Sequence, residues 1–567
     1  MSAVHSSSSF PTFLLYEILL DFHNDRKTLH SCILVNRAWC RITIPLLWRN
    51  PIKLLHGPDD YYPYHKYRNN HVKLVDTYLR YLNEEERTEL AKDGFILGIS
   101  HTISPLFDYI YFLRYVSNSD LQMIISNLWN IVRNKLGKKS QIINSRISTR
   151  VSPITNDYYT ADVLLKSETI HHILSKLIIN HCPVIKHLQS TSTLLGPSTT
   201  TNNDVEILLK YPRIKECLSN LKIFESRSNF YRGTSFDILS EICHELHTIE
   251  VSSCNPLHLS SEDELDDVGE IQALSESQKL SNLIRAQTCL RELILWNCKV
   301  RIFDIINTLV STQQNSLRTF SFNHCDFQDS IWLQVLSEFP NLESLTFNQC
   351  INLSNQTSTK LYLPNIKKLK FIYGYISPQV LITLIEATKD SLIELDTGVP
   401  HFIYNWINFD LRKYNYLESI NLFKQIKLCH NLTSLTTYIY TYTQEQLLNT
   451  LLSLDHLKKL VLTEICYSSE TESRNLILFS DFLPILASHL SPTVQLLHIG
   501  TKFGIKKDAL EGFKKNCLSK FKKIGILGGL NWDLENQKVE FEGIFEKWDI
   551  DDLKRNLIPN YGVIFSV

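Results

Sequence analysis

The chain has 567 residues, and its 58 Lys and Arg against 59 Asp and Glu leave a formal charge of −1, so no whole-chain field steers it to nucleic acid or an anionic membrane. Its 17 Gly and 18 Pro are about half the average supply, whereas 84 leucines make up about 15 per cent of the sequence. Collagen-like and Pro/Gly-rich disordered classes are excluded, a large apolar core is well supplied, and thirteen thinly spread cysteines point to reduced thiols.

Met1 to Ser9 has no basic region, and the apolar stretch from Phe10 to Phe22 is interrupted by Glu17 and Asp21, so no signal peptide is expected. No uncharged apolar run approaches the ~18 residues of a membrane span. The expectation is a soluble intracellular protein, cytoplasmic and/or nuclear. Phe10-Pro11 opens a helical pattern through Leu14, Leu15, Ile18 and Leu19, broken near Asn24-Asp25. A second helix carries Leu29, Cys32, Ile33 and Val35, and a third Trp39, Ile42, Ile44, Leu46, Leu47 and Trp48, ending at Pro51. Three helices in about forty residues make a poor core alone, so a partner is expected. Pro11, Leu15-Tyr16-Glu17-Ile18, Lys27-Thr28-Leu29-His30-Ser31-Cys32, Val35-Asn36-Arg37-Ala38-Trp39-Cys40 and Pro45-Leu46-Leu47-Trp48-Arg49-Asn50-Pro51 resemble an F-box in order and spacing. Phe13 stands where that motif usually has an acidic residue, and Phe10 where it usually has Leu.

Residues 52–160 read as a mostly helical linker, including Asn83–Leu90 and Pro105–Tyr109. From 161 to 530 a repeat dominates. Leu290-Arg-Glu-Leu293-Ile-Leu295-Trp-Asn-Cys298 recurs from Leu317 to Cys325 and from Leu342 to Cys350, with an earlier copy from Leu246 to Cys254. These L-x-x-L-x-L-x-x-C copies match the leucine-rich-repeat consensus. Weaker copies begin at Ile366, Leu392, Leu432, Leu457, Val494 and Phe521, and degenerate ones at Ile185 and Leu218. In a strand, residues two apart share a face, so Leu293 and Leu295 point into one core and the residue between them faces out. Helical spacing between copies (Ile302, Ile305, Ile306, Leu309) makes each unit a strand plus a helix. The repeat cysteines read as small buried apolar groups. Ser260–Glu270 reads as an acidic insertion and Ser190–Asn203 as a surface loop. Leu417-Glu-Ser-Ile420-Asn-Leu422 also fits the pattern, but one enlarged unit between 392 and 432, largely helical over 405–430, is favoured. Residues 531–567 read as a C-terminal cap. The glycosylation-like matches at Asn352, Asn355 and Asn431 read as accidental.

The expected fold class is therefore α/β: a leucine-rich-repeat solenoid (horseshoe) over 161–530, preceded by a small three-helix F-box module over 10–51 and a helical linker. The spelling is similar to that of large fungal F-box/leucine-rich-repeat proteins. The resemblance implies a non-catalytic substrate receptor of an SCF-type ubiquitin ligase. On that resemblance Pro11, Leu15, Ile18, Leu29, Cys32, Val35, Trp39 and Leu47 would face a Skp-type adaptor, which joins the cullin scaffold. The alternatives are that the three helices merely cap the first repeat, that the chain is a repeat scaffold acting without the ligase, and that it activates a small GTPase, for which no positioned Arg or Asn is identified.

No enzyme motif is complete. Val132 stands where a phosphate loop ending in Gly137-Lys-Lys-Ser140 would need Gly, and Gly525-Ile-Leu-Gly528-Gly529 lacks a dinucleotide fingerprint. His171, His172, His181 and Cys182 lack zinc spacing. No cofactor or metal is expected, nor nucleic acid or membrane. The lysines between 502 and 523, followed by acidic residues between 533 and 552, read as a self-paired solvated face. A protein target is expected on the outward strand residues, chiefly Glu292, Ile294, Thr319, Ser321, Ser344, Thr346, Lys368 and Lys370, with Glu394, Asp396, Ser434, Thr436, Lys459 and Val461 continuing the rows.

Overall fold

A computed structural model describes residues 11–55, 68–92, 105–117, 161–190, 211–226, 233–252, 267–298, 302–327, 332–353, 361–372, 378–398, 416–439, 443–464, 472–500, 507–517, 523–527 and 564–566, with 120, 121, 124, 125, 208, 209 and 376. The phosphate-loop look-alike at 137–140, Cys254, Asn355, the loop 191–203, most of the 502–522 lysines and the 533–552 acidic run lie outside these residues. The chain divides into two compact units, one of residues 1–251 with 286–288 and one of 252–285 with 289–567. No described helix is long and apolar enough to cross a membrane.

The first unit opens with helices α1 (Thr12–Leu20), α2 (Arg26–Ile33) and α3 (Arg37–Trp48). The starts of α2 and α3 are set by short polar side chains that satisfy unpaired first-turn amides. Asp25 accepts from the N–H groups of Lys27 (3.0 Å) and Thr28 (3.1 Å), and Asn36 from that of Trp39 (3.0 Å). Leu15, Leu19, Leu29, Cys32 and Leu46 form the core between them, with Leu20, Trp39, Ile42 and Leu47 packed against it. Helices Pro51–Leu55, Arg68–Leu79 and Glu84–Lys92 follow. The last begins on a reciprocal box, in which Asn83 Oδ1 accepts from Glu86 N–H (2.9 Å) and Glu86 Oε2 from Asn83 N–H (3.2 Å).

Four parallel strands complete this unit: β1 (Tyr115–Ser117), β2 (His187–Ser190), β3 (Ile223–Ser226) and β4 (Thr248–Ser252), ordered in space as in the chain. β1 lies inside the stretch expected to be linker. At β3 the copy beginning at Leu218 is corrected to Leu221. Phe224 pairs with Leu188 and Ile249, so Leu221, Phe224 and Ser226 are the inward residues, while Leu218 is buried from the end of helix Ile214–Leu218.

The second unit carries β5 (Glu292–Trp296), β6 (Thr319–Asn323), β7 (Ser344–Asn348), β8 (Lys368–Ile372), β9 (Glu394–Asp396), β10 (Ser434–Ile439), β11 (Lys459–Glu464), β12 (Leu496–Gly500), β13 (Lys523–Leu527) and β14 (Ile564–Ser566). The first nine are parallel neighbours, with Leu293, Phe320, Leu345, Leu369, Leu395, Leu435, Leu460 and Leu497 in one inward row and Ile524 in register with Leu497. β14 runs antiparallel to β13. β9 pairs directly with β10, and Leu417–Leu422 lies in helix Tyr416–Ile426, as expected for one enlarged unit. Asp267–Glu270, expected to loop out with the acidic insertion, instead begins helix Asp267–Arg285. Helix content varies between copies. Ile302–Gln313 buries Ile302, Ile305, Ile306 and Leu309, whereas Trp332–Leu336 is a single short turn, and the described residues between β7 and β8 hold no helix.

Two devices recur in both units. A main-chain carbonyl before most of the strands accepts from two consecutive N–H groups of the next copy: Arg114 O from Lys186 (2.8 Å) and His187 (3.0 Å), Lys186 O from Lys222 (2.9 Å) and Ile223 (3.1 Å), and likewise Arg291, Arg318, Glu343, Lys367, Ile393, Thr433 and Lys458 in the second unit. A side-chain amide at a copy's start then binds the copy before it, as in Asn341 to Asn315 O (2.8 Å), Asn365 to Pro340 O (2.8 Å) and Asn431 to Asp390 O (2.7 Å). The first of these series begins in the helical module. Arg49 O, one residue past α3, accepts from Arg114 (2.9 Å) and Tyr115 (3.1 Å) at β1. The module thus supplies what a preceding repeat would.

Candidate functional site

Two surfaces compete for function, and each follows from how its element is spelled. Apart from Glu17, α1 carries apolar or aromatic side chains around most of its circumference, so it cannot bury all of them against two short neighbours. Leu15 and Leu19, four apart, take the inward stripe, at 4% and 2% exposure. Phe13, Leu14, Ile18 and Phe22 remain exposed, and Leu34 and Val35 at the α2–α3 turn join them, at 72% and 57%. Of the eight residues expected to face an adaptor, Pro11, Ile18 and Val35 are at the surface, and Trp39 and Leu47 are half-buried. Leu15, Leu29 and Cys32 are instead core residues of the module, because their stripes converge between the helices. Phe13, Leu14, Phe22 and Leu34 were missed as surface residues. An α1 with apolar residues on most of its sides signals that some must be exposed, but periodicity does not say which.

The second surface is the outward strand face. Burial alternates along β5, β6 and β7, with Glu292, Ile294, Thr319, Ser321, Ser344 and Thr346 in outward positions of intermediate exposure. Register aligns them in rows. Glu292, Thr319, Ser344, Lys368, Glu394, Ser434 and Lys459 form one, and Ile294, Ser321, Thr346, Lys370, Asp396, Thr436 and Val461 the next. A third row was not anticipated: Trp296, whose ring stacks 6.2 Å from His324, then Asn323 and Asn348, joined at 3.1 Å. Charges in the middle of the face cancel internally. Lys370 Nζ meets Glu394 at 2.8 Å. Asp396 accepts the Gly398 N–H at 3.0 Å, and burial pushes its carboxyl up to about 6 against the opposing pull of that bond, Lys370 and Lys459. Gly398 is required in this turn, since its φ is +81° and a Cβ would lie 2.8 Å from Phe371 O.

In the first unit the equivalent face holds a closed polar chain. The Tyr115 hydroxyl donates to Gln189 Oε1, Gln189 Nε2 donates to Glu225 Oε2 (2.8 Å), and His187 Nε2 lies 2.9 Å from Glu225 Oε1. Both carboxylate oxygens are engaged, so the chain reads as cross-strand glue.

Two of the repeat thiols, Cys325 and Cys350, have the wrong electrostatics for nucleophiles. Cys298, Cys325 and Cys350 are buried, and burial raises the Cys325 and Cys350 thiols well above their ordinary value. Cys182 donates to Leu113 O at 3.1 Å. His171 is buried, which lowers its pKa to about 4, while His172 faces the Tyr211 hydroxyl at 2.9 Å. Among the described residues no group of three His, Cys, Asp or Glu could hold a metal.

No model of a known protein family matches the chain. Part of it is similar to F-box/LRR-repeat protein 4 of Bos taurus, 27% identical over 202 residues. The similarity covers 33% of this chain and 32% of that protein, so the chain spans about a third of its relative's length.

Proposed function

We propose that this chain is the target-recognition subunit of an SCF-type ubiquitin ligase, its helical module docking a Skp-type adaptor and, through it, a cullin, while its leucine-rich-repeat strand face holds a protein target. The observation that carries the reading is the module's unburied apolar face. Ile18, Val35, Leu14, Leu34, Phe13 and Phe22 stand on a forty-residue unit whose own core is complete without them. Apolar side chains left outside a closed core are the anchors by which a helical module fits a partner's groove. Leu15, Leu29 and Cys32 then act from beneath, by fixing the helix directions. The similarity to an F-box/LRR-repeat protein supports the same reading. Catalysis is left to a separate charged enzyme, and the receptor contributes proximity.

Co-purification with a Skp-type adaptor tests it. Wild type should capture the adaptor, and Ile18→Asp with Val35→Asp should abolish capture while leaving the thermal unfolding curve unchanged, because both side chains are exposed. Leu15→Asp is the wrong probe, since a charge there unfolds the module. A wild-type chain that captures no adaptor would overturn the proposal. One observation favours a second reading, a ligase-independent scaffold whose module is only an end cap: Arg49 already occupies the position of a preceding repeat. The same experiment separates the two, since a mere cap captures nothing.

A further inference from the structure

The N-terminal edge of β9, β10 and β11 carries a groove of about 370 Å³ lined by Ser391, Ile393, Asn431, Thr433, His456 and Lys458. It lies beside the strand face rather than on it, one and three residues before each strand, and none of its lining residues was anticipated. Its polarity has two halves. The Ser391 hydroxyl donates to Ile366 O (2.8 Å) and that of Thr433 to Ile393 O (3.3 Å), and Asn431 Nδ2 donates to Asp390 O (2.7 Å). With those hydrogens committed, this wall presents chiefly oxygen acceptors. The β11 end of the groove presents cations. Lys458 is exposed, with no ion-pair partner among the described residues, and exposed His456 stands two residues before it. Neighbouring cations differ: Lys367 is 2.8 Å from Glu343, which also pairs with Arg318, and Lys370 is bound to Glu394. Ile393, 39% exposed, gives an apolar edge.

We propose that this groove binds an acidic segment of a target protein. A peptide supplies both halves of the chemistry, main-chain N–H groups for the acceptors and a carboxylate for Lys458 and His456. A free anion supplies only the second. Three strands at about 4.8 Å give a span of about 10 Å, the length of three extended residues. The inference rests on the second unit's being the part that holds the target, and it moves the expected contact from the strand face to its edge.

Fluorescence anisotropy of the full chain with a labelled peptide of alternating Glu and Ala tests it. Wild type should bind, with affinity falling as salt rises. Lys458→Glu should weaken binding about fivefold or more, and Lys215→Glu, the same charge change on an exposed helix of the first unit, should leave it within about twofold. At equal ionic strength inorganic phosphate should displace the peptide no better than chloride. Equal binding by Lys458→Glu, equal losses in the two variants, or selective displacement by phosphate would each overturn the proposal, the last by marking a free-anion site. Adaptor capture is scored separately on the same variants: intact capture with no peptide binding sinks this inference alone, and peptide binding without capture sinks only the ligase reading.

Discussion

At Asn297, His324 and Gln349 the backbone turns left-handed, with φ of 55°, 53° and 52°, each immediately before a repeat cysteine. The turn lets Cys325 and Cys350 drop inward, where Cys350 Sγ reaches Phe322 O at 3.4 Å. A left-handed non-glycine residue costs about 1–2 kcal/mol. Gln349→Gly should therefore stabilise the chain by about 1 kcal/mol in urea titration, and Gln349→Val should destabilise it by a similar amount; the opposite order would show that the turn is unstrained. Asp396 governs a pH dependence. Its folded pKa of about 6 lies above the ordinary carboxyl value, so the native state holds a proton that the unfolded chain releases. Stability should then fall as pH rises from about 4 to 6, by roughly 2 kcal/mol from this group, and Asp396→Asn should remove that part of the slope. An unchanged slope would assign it elsewhere.

Among elements, the inward strand rows carry the packing. The Phe347 ring stacks on Phe322 (5.4 Å, 9°) and on Phe371 (5.2 Å, 7°), and Phe327 meets it edge-on at 5.7 Å, so one side chain joins three successive strands. Phe347→Ala should cost about 3–5 kcal/mol and Phe347→Leu distinctly less, measured by chemical denaturation. A loss under about 1 kcal/mol would mean that the site collapses onto the gap. These rows were legible in the sequence because L-x-x-L-x-L places apolar residues at period two and the parallel register repeats them. The copy at Leu221 was misread by three residues, since Leu218 and Ile223 are also apolar and only the pairing of Phe224 with Leu188 and Ile249 decides which are inside. β1 was overlooked because only three of its residues pair, in a stretch with no second copy of its spelling.

At the scale of the whole molecule, the helical module is built into the first unit by a main-chain bond that any residue type could make. Arg49 O satisfies two N–H groups at the start of β1, and Trp48 stacks on Tyr109 with ring centres 4.1 Å apart. Removing residues 1–50 leaves those amides without their acceptor. Hydrogen exchange at Arg114 and Tyr115 should accelerate by at least about tenfold in the shortened chain, while exchange in β6 and β7 stays unchanged. Equal protection with and without the module would show that β1 holds its end alone.

The leucine excess, the glycine deficit and the spaced copies determined by themselves that this is a parallel α/β repeat chain behind a short helical module, because burial of every second strand residue leaves its mark on composition and period. Which apolar residues of α1 are core and which are surface was decided only by tertiary structure. Leu14, Leu15, Ile18 and Leu19 have nearly the same chemistry, and the direction from which α2 and α3 arrive is written in no local pattern. The groove at the edge of β9–β11 has the same origin: Ser391, Asn431 and His456 are far apart in the chain, and three strands in register bring them to one edge.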